Sequence, residues 1–295
     1  MKLIKYFTIF SLFLLFSICT NYAQVVTTIV TEKGLDGPDG FALDAAGNLF
    51  VANWGKKGNG STVLKIDTAG NVTTFVSGLK SPDGLAFEKD GSLYISNYAS
   101  GVISKVNPAG EITVFAQGLD HPSALVFDKA GNLYVSNHGK ADGNTISKIS
   151  PEGEVSTFAS GFKGPVGLAF DSHQNLFVAN FSSGIINKVT TNGVVSILAS
   201  IPNSPASYIQ YLASDKDDNL YMPSYGLQKI FKITPAGIVT VFAGTGIKGN
   251  NDGALETAQF NGPNSIVISR AGDMYISEFN TNRIRKILGA VPAFN

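Results

Sequence analysis

Cysteine is nearly missing from these 295 residues, and charge is scarce: the single thiol, Cys19, stands in an apolar leader, and only 15% of residues are charged. With that leader removed, no disulfide, thiolate metal site or cysteine nucleophile is available to the remainder. Soluble domains usually carry about 25% charged residues, so the shortage excludes coiled coils and charged disordered tails. Nor does one sign dominate, since 22 basic residues balance 22 acidic ones. Without a basic excess there is no general attraction to a polyanion, and nucleic acid is not expected as a partner. The apolar run Tyr6 to Ile18 follows Lys2 and Lys5 and gives way to a polar stretch containing the small Ala23. It has the pattern of an export leader and is short for a spanning helix, an uncleaved signal anchor being the alternative. Residues 1–23 are therefore expected to be a signal peptide, the mature chain to lack a membrane span, and the protein to be periplasmic or extracellular.

What the chain does have is turns, with 32 glycines and 12 prolines, and a repeat. One phrase recurs as Asp44 to Asn53, Glu88 to Asn97 and Asp128 to Asn137, followed by diverged copies ending at Asn180, Ser224 and Glu278. The central apolar residues Leu49, Leu93, Leu133, Leu176, Leu220 and Met274 are spaced by 44, 40, 43, 44 and 54. A period in the forties predicts a radial array of four-stranded blades. In the second copy, Gly84 to Phe87, Leu93 to Ser96, Val102 to Val106 and Glu111 to Ala116 read as successive strands from the axis outward. The last unit runs out after Leu288 while Val25 to Val30 reads as an outermost strand with nothing before it. The expected fold is all-β, a six-bladed propeller of antiparallel blades over residues 24–295, closed by the N-terminal strand completing the last blade.

The last unit, with Val241-Phe-Ala-Gly-Thr-Gly246, Ala258-Gln-Phe260, Gly262-Pro263 and Met274 to Ile287, resembles an NHL repeat, and the resemblance extends over nearly all of residues 25 to 288. It implies a six-bladed propeller that serves as a binding platform. Two enzyme groups are similar to it in scaffold and phrase: the gluconolactonases, metal-dependent lactone hydrolases, and the streptogramin lyases. The expected function is that of an exported ligand- or protein-binding module working through its channel mouth. A calcium-dependent lactonase-like hydrolase or a streptogramin lyase-like enzyme is the alternative. The gluconolactonase resemblance further implies metal ligands at the starts of inner strands, which Asp39 and Asp83 match in their Pro-Asp-Gly phrases. Asp36-Gly37-Pro38 stands where that family has Glu-Gly-Pro, and Val166 where an acidic residue would face Asp39 across the ring.

Comparison among the six units separates scaffold from site. Lys65, Lys105, Lys148, Lys188, Lys232 and Lys286 share one position and read as packing stems with solvated heads. Ten residues before each central apolar residue stand Asp39, Asp83, Ser123, Val166, Gln210 and Asn264, at the channel entrance. Closure would make Asn264, Asp39 and Asp83 neighbours, with Asp36 nearby, a set suited to Ca²⁺, which takes about six to eight oxygens. The alternative for the Pro-Asp-Gly phrases is turn chemistry. One residue past the end of each second strand stand Trp54, Tyr98, His138, Phe181, Tyr225 and Phe279, either a rim for stacking on a ligand or packing between blades. His138, His121 and Glu278 are the candidate proton carriers, and Glu278 is also placed at the ligand surface. Asp215 to Asn219 imitates an EF-hand opening, but Leu220 stands in place of the required glycine. The long insertion Gly244 to Gly262 is expected over the mouth. The partner would be a small molecule, glycan or protein, and the chain is expected to be a monomer.

Overall fold

The structure, a computed structural model, describes residues 24–201 and 209–294; the expected signal peptide, residues 1–23, lies outside them. Six antiparallel sheets surround a central channel. Blade 1 comprises Pro38–Leu43, Leu49–Asn53, Thr62–Ile66 and Val72–Val76, counted from the axis outward. Blade 2 begins with Pro82–Phe87 and Leu93–Asn97, blade 3 with Pro122–Phe127 and Leu133–Asn137, and blade 4 with Pro165–Phe170 and Leu176–Asn180. Blade 5 departs from this, its innermost strand reduced to Ala213–Ser214. In blade 6, Pro263–Ile268, Met274–Glu278 and Arg283–Ile287 are followed outward by Val25–Thr31 from the other end of the described chain. Pairing runs from Val26 opposite Ile287 to Thr31 opposite Arg283, so the expected clasp is present.

The second strands of blades 1 to 5 bury every residue because each is sandwiched between neighbouring blades, which abolishes in/out alternation. The outer strand Val155–Ser160 faces water over its first half. Between first and second strands the turn is built by one carboxylate. Asp44 Oδ1 accepts from the backbone of Ala46 and Asn48 while Oδ2 takes the Asn48 amide. Asp128, Asp171 and Asp215 repeat this arrangement, which makes the EF-hand-like stretch a turn cap. The six equivalent lysines lie over the aromatic ring of the adjacent second strand, Nζ to centroid 5.0–5.8 Å, as packing stems should.

The insertion corrects one expectation. Instead of covering the mouth, Gly253–Ala254 adds a fifth strand outside Val25–Thr31. Fully buried Arg285 holds it there, Nη1 donating to Gln259 O and Nη2 to Asn251 O and Asp252.

Candidate functional site

The inner strands carry the site. Pro38-Asp39-Gly40 and Pro82-Asp83-Gly84 are the first residues of innermost strands, and neither glycine takes a positive φ, so the turn reading of these phrases is set aside. Steric need explains the glycines. A Cβ on Gly40 would overlap the carbonyl oxygen of Asp83, and one on Gly84 the carbonyl oxygen of Ser123. Buried serines tie the inner strands together: Ser96 donates to Ser123 O at 2.7 Å and Ser136 to Val166 O at 2.8 Å, each reaching into the next blade.

Above this ring lies a cavity of about 370 Å³. Its floor is Asp39, Asp83, Ser123, Val166, Gln210 and Asn264, one residue from each blade. Its wall is Trp54, Tyr98, His138, Phe181, Tyr225 and Phe279. Successive rings around the wall touch, with centroids 6.0 Å apart for Trp54–Tyr98 and Trp54–Phe279, 5.7 Å for Tyr98–His138, 5.4 Å for His138–Phe181 and 6.4 Å for Tyr225–Phe279. These rings pack on one another and also line the cavity.

On the floor, Asn264 donates to Asp39 Oδ1 at 2.7 Å. Ser123 donates to Asp83 Oδ1 at 3.2 Å, and Tyr211 donates to the same oxygen. Asp83 Oδ2 has no hydrogen-bond partner among the described residues, although the residue is only 6% exposed. Burial pushes Asp39 well above the usual carboxylate range, and repulsion from Asp83 pushes it further. Burial likewise raises Asp83, to about 7, against the pull of the Tyr211 and Ser123 hydrogen bonds.

Tyr211 escaped the sequence reading. Blades 2 and 5 are opposite in a six-membered ring, so its bond to Asp83 bars the channel one residue deeper than the floor. A signal was available, because the equivalent positions hold Gly40, Gly84, Ala124, Gly167 and Ser265, all small.

The proton-carrier candidates separate. His138 lines the cavity, and its Nδ1 accepts from Ala141 N and Tyr98 Oη, both at 3.1 Å, which leaves the proton of the neutral ring on Nε2. Burial lowers this histidine to about 4, so it is uncharged at neutral pH. His121 does not line the cavity; it pairs with Asp120 at 2.7 Å and packs on Tyr98. Glu278 is a correction. It is fully buried, accepts from Arg285 at 2.7 Å, and takes the backbone N–H of Asn261 at 3.2 Å. Asn53, Asn97 and Asn180 hold the incoming loop in the same way through Asp36 N, Lys80 N and Lys163 N. Glu278 is therefore a loop anchor turned away from the ligand surface.

Asp36 is also displaced from the expected metal set, being solvent-exposed with its carboxylate accepting from Lys56 N. Among the described residues no three His, Cys, Asp or Glu side chains gather as a metal site. Of the expected metal ligands, Asp39, Asp83 and Asn264 share the cavity floor. Among the described residues, too, no helix is long and apolar enough to cross a membrane.

With this geometry in view, residues 45–248 match the virginiamycin B lyase family. A catalytically inactive variant of virginiamycin B lyase from Staphylococcus aureus, solved with quinupristin, superposes with a TM-score of 0.66 at 20% identity, over 88% of this chain and 84% of that one. An auxiliary nutrient binding protein from Bacteroides thetaiotaomicron gives 0.74 at 17% identity, over 90% of this chain and 76% of that one. A gluconolactonase from Xanthomonas campestris gives 0.72 at 15% identity, over 90% and 89%. At such identities these structures establish a common fold. No curated protein matches the chain.

Proposed function

This chain belongs to the virginiamycin B lyase family, and from that premise we propose that it is an exported binding module whose channel mouth takes up a small organic molecule. The observation carrying this reading is the 370 Å³ cavity with its unbroken run of rings from Tyr225 through Trp54 to Phe181. Ligand sites are typically concavities of about 300–1,000 Å³, mostly apolar with a few placed polar groups. Relatives of the same fold solved with quinupristin or described as nutrient binding support a small-molecule ligand. Export rests on the leader. Gln24 donates to the carbonyls of Gly289 and Ala290 at 2.6 and 3.1 Å, so cleavage after Ala23 leaves the new N-terminus seated beside the segment that follows Arg283–Ile287. The mass of the mature protein tests this.

Trp54 is the only tryptophan, so its emission reports the mouth directly. The test is a titration of the full chain with quinupristin, gluconolactone and a panel of simple sugars. A saturable change in emission that Tyr98→Ala weakens supports the site. A compound that binds by calorimetry without altering Trp54 emission, and equally in Tyr98→Ala, places binding elsewhere and refutes it.

Proton-transfer catalysis is the second reading, favoured by Asp83, whose raised carboxyl has Oδ2 free in the cavity beside a neutral His138. An acid near pH 7 can give or take a proton, while the Nε2–H of His138 can donate to a substrate carbonyl. Turnover of quinupristin or a lactone with kcat/KM changing slope near pH 7, abolished in Asp83→Asn, would establish it.

A further inference from the structure

We propose that the mouth selects organic cations: a quaternary or protonated tertiary ammonium group seated on the channel axis, within the ring wall and over Asp39 and Asp83. The inference rests on the reading of the mouth as a ligand site and adds the ligand's charge and shape.

Three observations converge. The wall is a run of six rings from Tyr225 to Phe181, successive planes inclined by 51–75° and centroids 5.4–6.4 Å apart. A cationic group seated inside that curve is bordered by several rings at once, the arrangement that cation–π attraction uses. Several rings then act on one charge without any of them moving.

The floor supplies two acids that no basic side chain pairs. Of the twelve lining residues two are carboxylic acids and none is Lys or Arg. Asp83 is 94% buried by its 6% exposure, yet Oδ2 is left without a partner where the cavity meets it. A cation would satisfy that oxygen and relieve the repulsion between the two acids; an anion would meet both.

The asymmetry of the floor gives the ligand a direction. Blade 4, opposite Asp39, contributes Val166, the one apolar residue of the floor, with Phe181 above it. The ligand is therefore amphiphilic, its charge toward blades 6, 1 and 2 and its hydrocarbon part toward blade 4. The neutral His138 next to that sector can donate one hydrogen bond to an oxygen on the ligand.

The experiment compares probes of one shape and different charge on the full chain at pH 8 and low ionic strength, by calorimetry and Trp54 emission. Choline and benzyltrimethylammonium are set against 3,3-dimethylbutan-1-ol, the neutral isostere of choline in which carbon replaces nitrogen. The expected result is cation binding at least about tenfold tighter than the isostere, a preference that collapses to within about threefold in the Asp39→Asn, Asp83→Asn double variant. Equal or tighter binding of the isostere overturns the proposal, and so does a preference unchanged in the variant. The wild-type comparison stands even where the variant fails to fold. Where the cations fail to bind but gluconolactone or a simple sugar still shifts Trp54 emission, cation selection is wrong and the mouth remains a ligand site; where nothing binds, both fall.

Discussion

Replacing Arg285 by methionine should lower the melting temperature by about 6–20 °C, a large effect for one residue on the third strand of a single blade. Arg285 is fully buried, with Nη1 on Glu278 at 2.7 Å and Gln259 O at 2.8 Å, and Nη2 on Asp252 at 2.8 Å and Asn251 O at 3.1 Å. Asp252 in turn accepts from Thr28 N and Oγ1 on the closing strand, at 2.9 and 2.8 Å. One guanidinium thus joins the second strand of blade 6, the insertion and the clasp. Without it Glu278 keeps only Thr281 and the Asn261 N–H, and burial already holds its carboxyl above the usual range. Breaking a buried pair from one side costs about 3–5 kcal/mol. In a domain of this size each kcal/mol is about 2–4 °C, which gives the range stated. The assay is calorimetric or circular-dichroism melting at pH 7, with the Glu278→Leu, Arg285→Met double variant beside it. Replacing both charges removes the unpaired carboxylate and the Arg285 Nε that has no partner, so the double variant should recover most of the loss. A single-variant shift under about 3 °C, or a double variant no better than the single one, would refute the reasoning.

Deleting residues 24–31 removes the strand that pairs with Arg283–Ile287 and should destabilise the entire ring in one transition; an unchanged melting temperature would show the clasp to be dispensable. Gly84→Ala, at a backbone conformation alanine adopts freely, forces a methyl onto the Ser123 carbonyl and should cost about 1–3 kcal/mol by denaturant titration, whereas no loss would mean the inner strands can part. The folded chain keeps the Asp83 proton up to about 7 while the unfolded chain loses it near 3.8, so between those values the folded state binds more protons and stability falls as pH rises. Asp83→Asn should therefore raise the melting temperature at pH 8 and leave it unchanged at pH 4; equal effects at both would deny the shift.

The architecture was legible because a ring makes its parts equivalent. Strand boundaries in blade 2 agree with the sequence reading to within two residues, since Gly91 and Gly110 fix the hairpins by their positive φ and the apolar second strand can only be a sandwiched one. The unpaired Val25–Val30 announced the closure for the same reason, as an outermost strand has no other place to go. Where a unit departs from its siblings, local pattern carried less. The insertion has few apolar residues to betray its course, and what fixes it to the rim is Arg285, which reads in sequence as one more base in Arg283-Ile-Arg-Lys286.

The site shows the same division more sharply. Counting back from each central apolar residue located the six floor positions, and stepping one residue past each second strand the six of the wall, because equivalence fixes which residue faces the channel whatever its chemistry. What equivalence could not supply is interaction across the ring. Glu278 looked functional as the one acid among four asparagines, yet its partner is Arg285 within its own blade, and the pair only replaces an asparagine that holds a loop. Tyr211 drew no notice in the sequence, yet it crosses the channel to Asp83, 128 residues away. Together with burial, that contact sets Asp83 apart from an ordinary surface carboxylate, and it exists only because the ring closes with six blades and places blade 5 opposite blade 2. The chemistry of the mouth is thus a property of the closed circle, while each unit by itself encodes only where its side chain points.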